Sequence, residues 1–310
     1  MKQISLTGFL VLLCLQVNIA QTTQKYPKAD ISFLVIGDFG RQGEYHQKEV
    51  AQQMSLTGTE ADIDFIITTG DNIYPKGVAS PMDPIWKSSF EDIYLGHSLH
   101  VNWYPVLGNH DYAGNPQAEI EYSQISRRWN MPARYYSKTY KLSDGSKLLI
   151  AFLDTSPFEL GYYQDEDEPF RTNVASQDTS AQKKWFTDLM SKSNAQWKIA
   201  VGHHPLVTSG PRKDRKNHVA NSWQALMEKV GIDFYLAGHE HHLEYNQLSP
   251  KLHHMISGAG SKITALKSTE KAKFAQSANG FAAFFIQPKV LEFQFVDESG
   301  KTLFSQQIKK

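Results

Sequence analysis

Ile31-Ser-Phe-Leu-Val-Ile-Gly-Asp-Phe-Gly40 is a nearly unbroken apolar run that stops at a glycine and an aspartate. A short run rich in Ile, Val and Phe, bounded by a turn signal, reads as a strand buried on both faces. The same grammar recurs along the chain. Ile63–Thr68 leads into Gly70-Asp71-Asn72-Ile73-Tyr74, and Trp103–Leu107 into Gly108-Asn109-His110-Asp111. Lys198–Val201 leads into Gly202-His203-His204-Pro205, and Ile232–Ala237 into Gly238-His239-Glu240-His241. Leu148–Leu153 is a further apolar run. Apolar residues at helical spacing fill Glu44–Leu56, Asp83–Tyr94, Gln117–Trp129, Ser180–Ser191 and Ser222–Val230. Alternating strands and helices predict an α/β protein with a largely parallel core. The last quarter differs: His254–Ile256, Phe281–Ile286, Leu291–Val296 and Thr302–Gln307 read as strands joined by short turns. The expectation is one domain over residues 31–310, built of two packed mixed β-sheets flanked by helices.

In open α/β sheets, ligands bind beyond the carboxyl ends of the strands. The five strand-end corners should therefore meet in space although they are spread over 200 residues of sequence. Their side chains are carboxylate, phenol, amide and imidazole, without thiolates, which suits Fe, Zn or Mn. They are too many for one ion. Two ions about 3.5–4 Å apart, sharing a bridging carboxylate, would use them all. Singly, each corner reads as an ordinary turn, surface histidine pair or helix cap. Together and in this order, they point to a metal centre.

Composition bounds the rest. The 310 residues are 41% hydrophobic and 21% charged, enough for a large core and incompatible with bulk disorder. Lys+Arg and Asp+Glu both total 32, so no overall basic field favours nucleic acid as a stable partner. Residues 1–20 read as a signal peptide: Lys2, an apolar stretch Ile4–Leu15, and a cleavage point at Ala20. Residues 21–30 read as a polar lead-in. The only cysteine, Cys14, lies inside the signal segment. The expected mature chain is secreted or periplasmic, has no disulfide and no membrane span, and is a monomer. It contains no Asn-x-Ser/Thr acceptor.

The five corners, with Tyr74 three residues after Asp71, resemble the purple acid phosphatases within the calcineurin-like metallophosphoesterases. Gly114–Tyr136 and Ile256-Ser-Gly-Ala-Gly260 look like the small, mammalian-type tartrate-resistant members. The resemblance implies a four-layer αββα sandwich. It also implies an acid phosphatase that hydrolyses phosphomonoesters with a metal-activated hydroxide at a binuclear Fe(III)–M(II) centre. By position, Asp38, Tyr74 and His241 would hold Fe(III). Asn109, His203 and His239 would hold a divalent ion (Fe, Zn or Mn), and Asp71 would bridge the two. His110 would face the substrate phosphate, with Asp111 as its orienting partner. Of the adjacent His203 and His204, the match favours His203 as ligand. An extended backbone would point His204 the other way.

Three departures stand out. The family often places a histidine beside a glutamate after the fourth corner, where this chain reads Thr208-Ser-Gly-Pro-Arg-Lys-Asp-Arg-Lys216. Arg212, Lys213 and Arg215 are expected to bind phosphate, a solvated basic loop being the plain alternative. The leaving-group acid then falls to His110 or His218. Tyr112 stands where animal relatives often carry histidine. Phe158–Asp178 occupies the place of the family's regulatory loop, and its acidic Asp165-Glu-Asp-Glu168 reads as flexible and solvated. Two other functions fit the same residues. One is a phosphodiesterase or broad nucleotide phosphoesterase using Zn or Mn. The other is a non-catalytic phosphate-binding surface protein.

Overall fold

A computed structural model describes residues 26–310. The expected signal segment, residues 1–20 with Cys14, lies outside the described residues. In chain order the strands and helices are β1 (Ile31–Ile36), α1 (Gln47–Ala61), β2 (Phe65–Thr68), β3 (Asn102–Tyr104), α2 (Asn109–Tyr112) and α3 (Pro116–Tyr122). Then come β4 (Tyr136–Lys141), β5 (Lys147–Phe152), α4 (Glu168–Ala175), α5 (Thr179–Ser191), β6 (Trp197–Val201), α6 (His218–Val230) and β7 (Phe234–Ala237). The chain finishes with β8 (Leu243–Gln247), β9 (His253–Ser257), β10 (Phe274–Gln276), β11 (Gly280–Ile286), β12 (Val290–Asp297) and β13 (Thr302–Lys309).

These strands form two mixed sheets. The first has the order β13-β12-β11-β1-β2-β3, and the second β10-β8-β9-β7-β6-β5-β4. Within the first, β1, β2 and β3 run parallel, while β11 pairs antiparallel with β1. Within the second, β5, β6, β7 and β9 run parallel. Facing aromatic rings bind the sheets together: Phe234 meets Phe284 at 5.3 Å, Phe65 meets Tyr140 at 4.8 Å, and Tyr104 meets Phe152 at 5.9 Å. The central strands are buried along their whole length because helices cover their outer faces. On the second sheet, Phe186 and Met190 of α5 and Trp223 and Met227 of α6 pack on Leu149, Ala200 and Tyr235. Val50 and Met54 of α1 are buried in the larger core cluster with β1. The α/β sandwich of two mixed sheets flanked by helices is as the sequence pattern implied.

The lead-in is partly structural. Tyr26 is buried, stacks on Phe285 at 5.7 Å and hydrogen-bonds Thr57. The helix expected over Asp83–Tyr94 is only a single π-helical turn, Lys87–Glu91. Its apolar residues serve a compact aromatic cluster instead: Trp86 stacks on Tyr122 at 3.8 Å, and Phe90 meets Trp103 and Trp129 edge-on. The helix expected over Gln117–Trp129 stops at Tyr122. Beyond it the chain turns so that Arg128 pairs with Glu91 at 2.5 Å. Strands β4, β8 and β10 carry too many polar residues to announce themselves.

Candidate metal centre

The parallel strands of both sheets deliver their carboxyl ends to one place. Asp38 follows β1, Asp71 and Tyr74 follow β2, Asn109 and His110 open α2 beyond β3, His203 follows β6, and His239 and His241 follow β7. The turns are tight enough that Asp38, Asp71 and His239 take positive φ of 58°, 48° and 69°. Non-glycine residues in that region are strained and gather at functional sites. Two glycines allow the approach. A Cβ on Gly108 would lie 2.2 Å from Asp71 Oδ1, and one on Gly238 would lie 2.5 Å from Asp38 Oδ2.

The side chains meet in two groups. In the first, the Tyr74 hydroxyl lies 3.1 Å from Asp38 Oδ1, 2.9 Å from Asp71 Oδ2 and 3.2 Å from His241 Nε2. In the second, Asn109 Oδ1 lies 3.2 Å from His203 Nε2 and 2.9 Å from His239 Nδ1. The two imidazole nitrogens are themselves 3.1 Å apart. Asp71 faces both groups, because its Oδ1 is also 3.4 Å from His203 Nε2.

The chemistry of this donor set fits metal ions. His203 Nδ1 donates to the Thr69 carbonyl at 2.8 Å, so its Nε2 presents a bare lone pair. That lone pair faces the Asn109 amide oxygen and the Asp71 carboxylate. In the first group, one phenolic proton serves two carboxylates and an imidazole. Lone pairs converging on lone pairs call for cations between them. Two overlapping sets of metal-binding geometry are present among the described residues: Asp38, Asp71 and His203, and His203, His204 and His239. The centre is thus binuclear in layout.

Local electrostatics supports a neutral His239 and a charged bridge. Burial, then the neighbouring imidazoles of His204 and His203, holds His239 well below the usual histidine range. Burial raises Asp71, but His203, His110 and Tyr74 outweigh it and leave its carboxyl below the ordinary value. Burial, with Asp38 and Asp71 beside it, pushes the Tyr74 phenol well up, and Arg41 opposes them. A cation displacing that proton would bind more tightly as pH rises.

Other sequence expectations fall out differently. Asp111 does not orient His110. Its carboxylate accepts from the backbone N–H of Asn72, Ile73 and Gly108 at 2.8–3.1 Å, clamping the second corner to the third. The His110 ring is oriented by its Nδ1, which donates to the Pro75 carbonyl at 2.6 Å. Its Nε2 lies 3.9 Å from Asp71 Oδ2, and the ring is partly exposed. His204 does not point away from the centre. Its ring lies 4.5 Å from that of His239, because β6 has ended at Val201 and strand alternation no longer applies. Both its nitrogens are engaged, Nδ1 with Thr155 Oγ1 at 2.9 Å and Nε2 with the Tyr162 hydroxyl at 2.8 Å.

A cavity of about 410 Å³ opens from the second group. Asn109 and His239 line its metal end, and Arg212, Arg215 and Lys216 line its outer wall with Glu159 and Tyr162. Arg212 Nη1 donates to the His239 carbonyl at 3.2 Å and lies 3.6 Å from Glu240. Lys213 instead lines a second cavity, which Arg212 and Arg215 also border, and Lys216 takes the place expected of it. The segment Phe158–Asp178 is not a solvated loop. It carries helical turns at Leu160–Gln164 and Glu168–Ala175. It is tied down by Tyr162 to His204, by Glu159 to His218 at 2.5 Å, and by Asp167 to Lys76 at 2.7 Å. Tyr112, buried, hydrogen-bonds Asp154 and does not face the cavity.

Comparisons with known proteins bear on this centre. The family model described as calcineurin-like phosphoesterase matches residues 31–243. Purple acid phosphatase 4 of Arabidopsis thaliana is 36% identical over 293 residues, which is 91% of this chain and 85% of that protein. Human tartrate-resistant acid phosphatase type 5 is 28% identical, covering 88% and 89% of the two chains. In three dimensions, the chain matches the solved structure titled GAP50, the anchor in the inner membrane complex of Plasmodium. There the TM-score is 0.75 with 22% identity, over 91% of this chain and 89% of that one. That last match speaks for the fold.

Proposed function

Because the chain belongs to the calcineurin-like phosphoesterases and resembles the purple acid phosphatases, and is thus a metal-dependent hydrolase, we propose that it is an acid phosphatase acting on phosphomonoesters at an Fe(III)–M(II) centre. The observation that carries this reading is Tyr74, whose hydroxyl sits within 3.2 Å of Asp38, Asp71 and His241. Asp38, Tyr74 and His241 would hold Fe(III), Asn109, His203 and His239 a divalent Fe, Zn or Mn, and Asp71 both. When bound, such a pair supplies Lewis acidity and an activated water for in-line hydrolysis.

The chain's own residues supply the rest. Burial and the neighbouring imidazoles favour the neutral form of His239, the form whose lone pair can bind a metal. His110, held through Nδ1 by Pro75, presents Nε2–H to a phosphate oxygen once protonated. Arg212 and Arg215 bind the ester from the outer wall of the cavity. Tyr162, hydrogen-bonded to His204, completes that wall. We further propose that residues 1–20 export the protein to the periplasm or the medium, where it acts as a monomer. No helix among the described residues is long and apolar enough to cross a membrane.

The test is turnover of matched phosphomonoester and phosphodiester substrates between pH 4 and 8, with the bound metals measured on the same sample. Monoester turnover that is highest in acid, with one iron per chain, is the expected result. Preferential diester turnover with zinc or manganese in both positions would replace this reading by the phosphodiesterase one. Phosphate binding without turnover would leave only a binding protein.

A further inference from the structure

Arg41 follows the first corner, Gly37-Asp38-Phe39-Gly40, and lies flat on the face of Tyr74. Its guanidinium carbon is 3.3 Å from the centre of the Tyr74 ring. The position is fixed from several sides. Arg41 Nε donates to Ser261 Oγ at 3.1 Å, and Ser261 Oγ donates to the Asp38 carbonyl at 2.7 Å. The Arg41 backbone N–H donates to the buried Gln47 Oε1 at 2.9 Å. The ring of Tyr45 lies beyond the guanidinium at 5.6 Å, with Lys262 over that ring in turn. Among the described residues, no carboxylate forms an ion pair with Arg41. Its charge is therefore not spent on a carboxylate and acts on the ring beneath it.

A guanidinium over an aromatic face is attracted to its electron density. A phenolate carries more of that density than a phenol, so the cation favours the anionic ring and lowers the energy of its highest filled orbitals. It also fixes the plane in which the phenolic oxygen reaches Asp38, Asp71 and His241. The His110 ring also meets Tyr74, at 4.3 Å, so two side chains pack against the Tyr74 ring. We propose that Arg41 is a positioning residue for the metal centre: it sets the orientation and the donor strength of Tyr74 as a ligand. This rests on the reading of Tyr74 as an iron ligand.

The test compares the parent protein with Arg41→Gln and Arg41→Lys, each loaded with iron and, separately, with zinc. With Fe(III) bound, charge transfer from a phenolate gives a visible band. Without the stacked cation the donor orbitals rise, so the band of Arg41→Gln should move to longer wavelength, with Arg41→Lys between it and the parent. Zinc gives no such band. There, the fraction of Tyr74 present as tyrosinate at a fixed pH, read in the ultraviolet, should fall in Arg41→Gln. Thermal unfolding of the metal-free proteins serves as the control, since a merely structural role would lower stability and leave both spectra unmoved. Unchanged spectra at equal metal content would overturn the proposal. A parent that binds iron stoichiometrically without a visible band would overturn the assignment of Tyr74 as ligand, and this proposal with it. A parent that takes up only zinc would refute the iron reading, and the ultraviolet measurement would then decide the role of Arg41.

Discussion

Replacing Glu119 with glutamine should stabilise the metal-free protein, and more so as pH rises. Glu119 is fully buried behind the second and third corners. Its Oε2 accepts from Asn72 Nδ2 at 3.0 Å, while Oε1 has no partner. The same Asn72 amide reaches Asp111 Oδ2 at 3.2 Å and the Val106 carbonyl at 2.9 Å. Burial first, then the charge of Asp111, pushes the Glu119 carboxyl well above its ordinary value of 4.5. The folded protein therefore keeps a proton that the unfolded chain gives up above that pH. The associated stability is fully present below the unfolded value and is lost as pH climbs toward the folded one, at about 1.4 kcal/mol per pH unit. Glutamine keeps the acceptor for Asn72, offers its amide towards Asp111 and has no proton to lose. The expected gain is near zero around pH 4.5 and grows to as much as about 3 kcal/mol at pH 7. Urea unfolding of the chelator-treated parent and Glu119→Gln at several pH values between 4.5 and 7 measures it directly. A stability difference that does not change with pH would show that Glu119 is already ionised in the fold, and would refute the reasoning.

Gly108→Ala places a Cβ 2.2 Å from both the amide nitrogen and Oδ1 of Asp71; metal affinity, read by chelator competition, should fall about 10–100-fold, and unchanged affinity would deny that this contact sets the bridge. Arg212→Ala should raise KM for a phosphomonoester about tenfold or more, the scale of a lost hydrogen bond to a charged group, with a smaller change in kcat; an unchanged KM would make the outer cavity wall a solvated basic surface. Deleting Gly161–Glu168 removes Tyr162 from the cavity wall, the Asp167–Lys76 tie and the acidic run Asp165–Glu168, and turnover of phosphomonoesters with an anionic leaving group should rise relative to those with a neutral one; a constant ratio of the two would sink the idea that this strap gates access.

The corners of the site were legible because each candidate ligand follows directly on a strand whose apolar run is visible. Asp38, Asp71, Asn109, His203 and His239 all lie within about a turn of a strand end, and a parallel sheet must align such ends. What the sequence hid depends on contacts between distant segments. The carbonyl that fixes His203 belongs to Thr69, a residue 134 positions away, and backbone carbonyls leave no mark in a sequence. The family resemblance implies that Asp111 orients its neighbour His110. In the fold the single turn of α2 sends them to opposite sides, one to the Asn72 backbone and one to Pro75. Tyr162 and Glu159 reach the cavity from a segment whose acidic composition suggested solvent. The helix expected over Asp83–Tyr94 failed because aromatic side chains satisfy helical spacing and cluster packing equally well. Trp86, Phe90 and Tyr94 found better partners in Trp103, Tyr122 and Trp129 than a helix face would supply.

The repeated glycine-plus-ligand grammar has a physical cause that the structure exposes. At the first, second and last corners the ligand itself bears a strained left-handed φ: Asp38, Asp71 and His239; at the second corner Gly70 before it is left-handed too, with φ 87°. Each such residue costs on the order of 1–3 kcal/mol, and the fold offsets that cost locally. The Asp38 carboxylate accepts from the His239 backbone N–H at 2.9 Å, and the Asp71 carboxylate accepts from that of His110 at 2.8 Å. The strained corners thus brace one another, the first on the last across the two sheets and the second on the third within the first sheet. Such bracing works only if the backbones approach closely, which is why Gly238 sits against Asp38 and Gly108 against Asp71. The glycines are therefore conditions for the mutual support of the ligands, and substituting any one of them should disturb a corner on the opposite strand before it disturbs its own.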